Sequence, residues 1–397
     1  MLEIASWVLA AIAAGSLALF YVGIWATVRH RRTRVPLLPD DQLPPVSLLK
    51  PIKGSEEELE PNLRCFFEQD YPAPFEIVFA TTEEVDPGMD VARRVAMDYP
   101  QVPVRFVRSD PSFGLNPKVA NLAGAMGAAT HDLVLQSDAN VRVQRDYLRK
   151  IVSELESADA SLLTSLVVGQ GEESAGAAME NLQLSAFIAP AMCTALHLAG
   201  IHCVVGKSML LRRSELAAAG GLAFVRDILA EDFILGRRYA ELGKKMVLSC
   251  TTIENVNRRI GVDQFLGRHS RWLKMRAVIH VGGFLADIGA NPVALLGWAW
   301  LLSGLDAGFG AGLAAVALTK AASDAVLVRI ARGTWMRPHH ALLSPVKDTL
   351  MGLVWIYSIF SRSVEWRGVR LRLGRDSRLR PDQGALPVRV LRRVFAR

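Results

Sequence analysis

Apolar and polar positions divide the chain into three zones. Residues 4–28 form a run of 25 without a charge, which as a helix is about 37 Å long, enough to cross a bilayer with some tilt. No basic segment precedes it and it exceeds a signal-peptide core, so it predicts an N-terminal transmembrane helix over 1–28. Arg29, Arg31, Arg32 and Arg34 follow at once, placing the N-terminus outside and the next domain in the cytoplasm. A basic, proline-rich linker spans 29–45 (Pro36, Pro39, Pro44, Pro45).

The middle zone changes period. Short apolar runs at 46–49, 76–80, 104–107 and 133–136 read as buried strands, with helical stretches at 59–69 and 89–99 between them. That alternation predicts an α/β domain with a mostly parallel sheet over 46–275. The last zone, 276–360, carries two or three hydrophobic segments. Residues 288–305 are uncharged, 307–328 contain Lys320 and Asp324, and 341–360 contain Lys347 and Asp348. If all three span, the arginine-rich tail at 361–397 ends outside, against its charge, so one is expected to be re-entrant or interfacial.

Composition sharpens this outline. The chain of 397 residues is 51% hydrophobic and 21% charged, a balance suited to a membrane protein with one soluble domain. The formal charge is +7, yet the tail alone holds eleven arginines against three acidic residues. Basic charge beside an apolar zone suits anionic lipid headgroups; a nucleic-acid partner would require it on the folded body. Cys65, Cys193, Cys203 and Cys250 show no paired spacing, and His197, His202 and Cys203 lack a zinc pattern.

Candidate chemistry is sparse but ordered. Asp138 follows the strand at 133–136, where open parallel sheets bind ligands; a local turn role is equally natural. Glu231–Asp232 offers a carboxylate for general-base work, or a helix N-terminal acidic pair complementing the dipole. Arg268 and Arg271, three apart beside Trp272, put two guanidiniums on one helix face, suited to diphosphate or to a juxtamembrane basic-aromatic belt. Gly114–Leu115–Asn116–Pro117–Lys118 is a turn delivering Lys118, and Glu83 follows the second strand where a nucleotide base or ribose could be read.

Taken in order, VSLLKPIKG (46–54), FFEQDYP (66–72), Asp86–Pro87, GLNPKVANL (114–122), SDANVRV (137–143), VGKSM (205–209), EDF (231–233) and RHSRW (268–272) resemble the ceramide glucosyltransferase family. Its relatives include hopanoid glycosyltransferases. The resemblance implies a GT-A nucleotide-diphospho-sugar transferase fold, Rossmann-like, with N- and C-terminal transmembrane helices. It implies Asp138 as the diphosphate and metal ligand for Mg2+ or Mn2+, and Asp232 as the catalytic base. Glu83, Lys118, Arg268, Arg271 and Trp272 would then bind the donor. Glu83 stands where the family has aspartate, and Asn140 where a second acid would complete a metal pair.

The implied reaction is inverting transfer of a hexose from a UDP-sugar to a lipid hydroxyl, UDP-glucose to ceramide first. The implied place is a bacterial inner membrane, with the catalytic domain cytoplasmic. N-acetylglucosaminyl transfer to a hopanoid, a processive polysaccharide synthase and a non-catalytic scaffold are the alternatives. The stretch 182–198 is either a wall for the acceptor's lipid part or a buried core helix.

Overall fold

The computed structural model describes residues 1–366 and 369–381. Eight strands form the main sheet: β1 (Val46–Pro51), β2 (Phe75–Thr81), β3 (Val104–Arg108), β4 (Leu133–Ser137), β5 (Val141–Arg142), β6 (Leu162–Gln170), β7 (Ser208–Arg212) and β8 (Met246–Val256). Their order is β3-β2-β1-β4-β7-β6-β8-β5. The pairings β1–β2, β1–β4, β2–β3 and β6–β8 are parallel, with β7 running antiparallel between β4 and β6.

Alternate side chains of the central strands go to opposite faces, as a pleat requires. Leu48, Ile77, Phe79 and Leu135 join the core beneath the helices Leu59–Phe67, Pro87–Met97 and Tyr147–Ser157. Leu49, Val78, Ala80 and Val134 join a second core beneath Pro117–Ala128 and Glu231–Glu241. Both faces are covered, which is why these strands read as unbroken apolar runs.

Among the described residues, three helices are long and apolar enough to cross a membrane: Leu2–Arg32, Ala175–Ala199 and Ala307–Arg332. The first continues through the arginines assigned to the linker. His30 and Arg31 dock on β8, His30 Nε2 lying 3.0 Å from the Ser249 carbonyl and Arg31 donating to Cys250 at 2.5 Å. Ala175–Ala199 connects β6 to β7, hydrogen-bonded neighbours in one sheet. It therefore leaves and rejoins the same side, packed against the lower end of the N-terminal helix.

The run 288–305 is not one helix. Val281–Gly289 and Pro292–Leu302 meet at 71°, because Pro292 has no N–H for the preceding turn and Asn291 caps the new start, accepting from Ala294 N at 3.0 Å. The segment expected at 341–360 forms the helix Ser344–Phe360, packed on the helix Val262–Ile279 of the catalytic domain. Immediately past its end, Lys274 donates to the Ser363 carbonyl at 3.0 Å. The tail thus starts beside the α/β domain. Its first part folds as β9 (Ser363–Trp366), β10 (Val369–Leu373) and β11 (Leu379–Pro381), an antiparallel sheet. The remainder of the arginine-rich tail, 382–397, lies outside the described residues.

The charges interrupting the apolar segments find one another. Lys320 pairs with Asp324 at 2.5 Å and with Asp348 at 3.6 Å, and Lys347 pairs with Asp348 at 2.6 Å. Ser344 donates to Asp324 at 2.5 Å and Lys347 to Gln183 at 3.0 Å. Ionisable groups at such depth are tolerated when paired inside a bundle.

Candidate active site

The site lies at the carboxyl ends of β1 and β4, where an open parallel sheet leaves a crevice. Asp138 is the residue after β4. Its backbone is fixed from two sides: its N–H donates to the Lys207 carbonyl at 3.0 Å, and its carbonyl accepts from Lys50 at 3.1 Å. Lys50, next to last in β1, is fully buried, above the Phe66 ring at 3.2 Å and donating to Ser137 Oγ at 3.1 Å. Burial pushes its ammonium down to about 7.

Both oxygens of Asp138 are taken, one by Lys118 and one by Lys207, each at 3.1 Å. Burial alone would raise the Asp138 carboxyl, but the two ammoniums hold it at about 2. Lys118 arrives by helix capping. Asn116 accepts from the N–H groups of Lys118 and Val119 at 3.0 and 3.1 Å, and Pro117 opens the helix Pro117–Ala128. Gly114 is needed for the approach, since a Cβ there would fall 2.4 Å from the Arg226 carbonyl.

Lys118 also pairs with Glu231 at 3.1 Å and donates to the Gly206 carbonyl at 2.8 Å. Burial opposes its charge, yet Asp138, Glu231 and Asp232 together raise its pKa. Burial raises the carboxyl of Glu231, which Asp232 reinforces and Lys118 opposes. Asp232 lies in the first turn of the helix Glu231–Glu241 and accepts from Gly206 N at 2.6 Å. Gly206 is the small residue on which these groups converge: a Cβ there would sit 3.0 Å from both Asp232 Oδ2 and Lys118 Nζ.

Arg268, Arg271 and Trp272 lie on Val262–Ile279 and, as their spacing predicts, line one cavity. Arg268 is anchored from behind by buried Glu180 at 2.9 Å, which also meets His269 at 3.0 Å. Burial would raise Glu180, but His269 and Arg268 hold its carboxyl at about 2. Trp272 stands edge-on to His269 at 5.2 Å.

A single cavity of about 2160 Å3 brings together Lys118, Asp138, Asp232, Arg268, Arg271 and Trp272. Its far wall is made by Leu19, Phe20 and Gly23 of the N-terminal helix and by Phe187, Ala191 and Ala195. The stretch 182–198 thus contributes both core and cavity wall. Glu83 is not in the wall; it pairs at 3.0 Å with Lys53, which is. The reading of the sequence assigned no role to Lys207, Lys50, Gly206 or Glu180. The first three sit in the motifs 46–54 and 205–209, a signal that was present but carried no chemistry by itself.

Among the described residues, no three His, Cys, Asp or Glu side chains are grouped to hold a metal. The donor chemistry nonetheless fits a hard cation. Asp138 presents carboxylate oxygens at the cavity, and Asp138, Glu231 and Asp232 outnumber Lys118 and Lys207. Mg2+ commonly needs only one or two carboxylates when phosphates and water complete its shell.

Residues 8–379 match the sequence profile of glycosyl transferase family 21. The chain belongs to that family. Among curated relatives, ceramide glucosyltransferase 3 of Caenorhabditis elegans is 28% identical over 242 residues, 60% of this chain and 51% of the relative. The ceramide glucosyltransferase of Komagataella phaffii is 32% identical over 220 residues, 50% of this chain and 43% of the relative. The chain thus spans about half the length of the curated relatives it matches. Among solved structures, a mannosyltransferase from Pyrobaculum calidifontis, in complex with GDP-Man and Mn2+, aligns with a TM-score of 0.57 and 19% identity. The match covers 91% of this chain and 98% of that one. This family 21 member therefore shares the GT-A-like glycosyltransferase fold, with apolar helices at both ends of the catalytic domain.

Proposed function

We propose that this chain is an integral membrane enzyme that transfers a hexose from a UDP-sugar to the hydroxyl of a membrane lipid, with inversion. The curated relatives, named ceramide glucosyltransferases, support glucose and ceramide as the pair, with UDP-glucose as donor and the catalytic domain facing the cytoplasm of a bacterial inner membrane. The observation that carries this reading is the single cavity, which joins Asp138 and Asp232 to apolar side chains of a membrane-length helix. A soluble acceptor would need no such wall.

Asp232 takes the proton of the acceptor hydroxyl, whose oxygen attacks the anomeric carbon opposite the diphosphate. As the new bond forms, the bond from that carbon to the diphosphate breaks and UDP departs. Lys118 and Arg271, with Arg268 braced by Glu180, hold the phosphate oxygens on which charge collects. Trp272 walls that side, and Glu83 acts at the rim through Lys53. Asp138 would hold the divalent cation, which supplies further neutralisation of the leaving group. Apolar residues of the far wall receive the lipid chains.

The test is to incubate membranes containing the protein with individual UDP-sugars and lipid extract, then weigh the products. One sugar added to one lipid is expected, and its mass separates ceramide from hopanoid acceptors and glucose from N-acetylglucosamine. A ladder of sugar units, or no lipid product from any donor, would end this reading.

A further inference from the structure

The segment that follows the last apolar helix folds back onto the loop preceding Asp232. Apolar side chains of β9–β11, Val364, Leu371, Leu373 and Leu379, enclose Leu229 against Met275 and Val278 of the arginine-bearing helix. Backbone bonds join the same partners. Leu379 N donates to the Asp227 carbonyl at 2.7 Å, and Leu229 N donates to the Ser377 carbonyl at 3.1 Å.

The decisive contact is at Ala230. It is the N-cap of Glu231–Glu241 and has no side chain able to cap. Backbone N–H groups at a helix start lack intrahelical acceptors and need another. In a capping box, a residue one turn into the helix accepts from the N-cap amide. Here Ser377 Oγ accepts from Ala230 N at 3.1 Å, across 147 residues of chain. Ser377 is fully buried and has φ +54°, the left-handed region that serine rarely adopts. With Asp376, also at φ +54°, it makes the turn between β10 and β11, and that turn holds its Oγ against the Ala230 amide.

We infer that Ser377 is a positioning residue: from beyond the membrane helices it fixes where the helix Glu231–Glu241 begins, and so where Asp232 points. The small sheet also ties that helix to the arginine-bearing one, since Asp376 pairs with Arg237 at 3.0 Å and Ser363 accepts from Lys274 at 3.0 Å. The inference rests on Asp232 being the base. Aiming a general base governs the chemical step and leaves donor binding largely alone.

Ser377→Gly removes the oxygen while permitting the left-handed backbone. In the full chain, kcat is expected to fall about tenfold with donor KM within twofold, and peptide-level hydrogen exchange over 227–235 to accelerate. Arg237→Gln, which breaks the partly exposed pairs with Asp376 and Glu241 and leaves the Ser377–Ala230 bond in place, is the control and keeps wild-type turnover. Unchanged exchange over 227–235 in Ser377→Gly overturns the inference whatever the turnover. A rise in KM with kcat intact, or an equal kcat loss in Arg237→Gln, overturns it too. If wild-type protein transfers no sugar to lipid, the functional proposal fails, and the exchange result still decides whether Ser377 holds Ala230.

Discussion

Two clusters of lysines and aspartates occupy this molecule, and they differ in what lies beside them. Lys118, Lys207 and Asp138 are each about one-fifth exposed and line the cavity. Lys320, Asp324, Lys347 and Asp348 are no more than 5% exposed, and none touches that cavity. The pairing chemistry is the same. The sealed charges satisfy one another and the buried Ser344 and Gln183, so they staple Ala307–Arg332 to Ser344–Phe360. The cavity charges can be shared with a ligand. Access, not the presence of buried charge, distinguishes a working site from a brace.

The largest effect that would break this distinction is at the base. Asp232→Asn should lower sugar transfer about 10^3-fold while the protein remains in the membrane with its melting temperature unchanged. More than a tenth of wild-type turnover would remove Asp232 from that role.

In the sealed cluster the effect should be on stability. Lys320→Met strands a buried Asp324 and should cost about 3–5 kcal/mol, read by unfolding in detergent. Replacing Lys320 and Asp324 together with Met and Leu should recover most of that loss, because no lone charge remains. A pair variant as unstable as the single one would mean that the network does more than brace.

Acid should sharpen the comparison further. Asp138 and Glu180 are held at about 2 in the folded protein, below their ordinary 3.8 and 4.5. A depressed carboxyl contributes stability that is complete above its unfolded pKa and is lost as pH falls through the folded one. The melting temperature should therefore decline from about pH 5 toward pH 2, and Glu180→Gln should flatten that slope. The smallest effect is expected at Glu83, whose pair with Lys53 is 46% exposed on the acid side. Such pairs are worth less than about 1 kcal/mol, so Glu83→Gln should move donor KM less than about fivefold. A tenfold rise would put Glu83 in direct contact with the donor.

These contrasts track what could be read from the sequence. β1, β2 and β4 were legible because both faces are buried, leaving apolar runs with Asp138 at the end of β4; β3, expected to be buried as well, is instead a largely exposed strand at the sheet edge. The break at Asn291–Pro292 was legible in principle, since Asn116–Pro117 uses the same capping chemistry, yet it was hidden inside an uncharged stretch. Lys320 and Asp324 read as blemishes on a span, although their separation of four is helix-pair spacing. Glu180 and Ser377 gave no signal. Their partners lie 88 and 147 residues away, and neither stands in a motif whose chemistry names it. β6 and β7 likewise needed the tertiary sheet, because β7 runs against its neighbours and the apolar helix between them resembles a span.

The double hold on Asp138 has one more consequence. With an ammonium on each oxygen, its charge is already balanced before any nucleotide arrives, so donor binding is a swap of partners rather than a net gain of attraction. Under the proposed function, the same two lysines would reclaim the carboxylate once the leaving nucleotide departs, so that no bare charge is stranded. On that function, such a site would trade tight grip for rapid exchange.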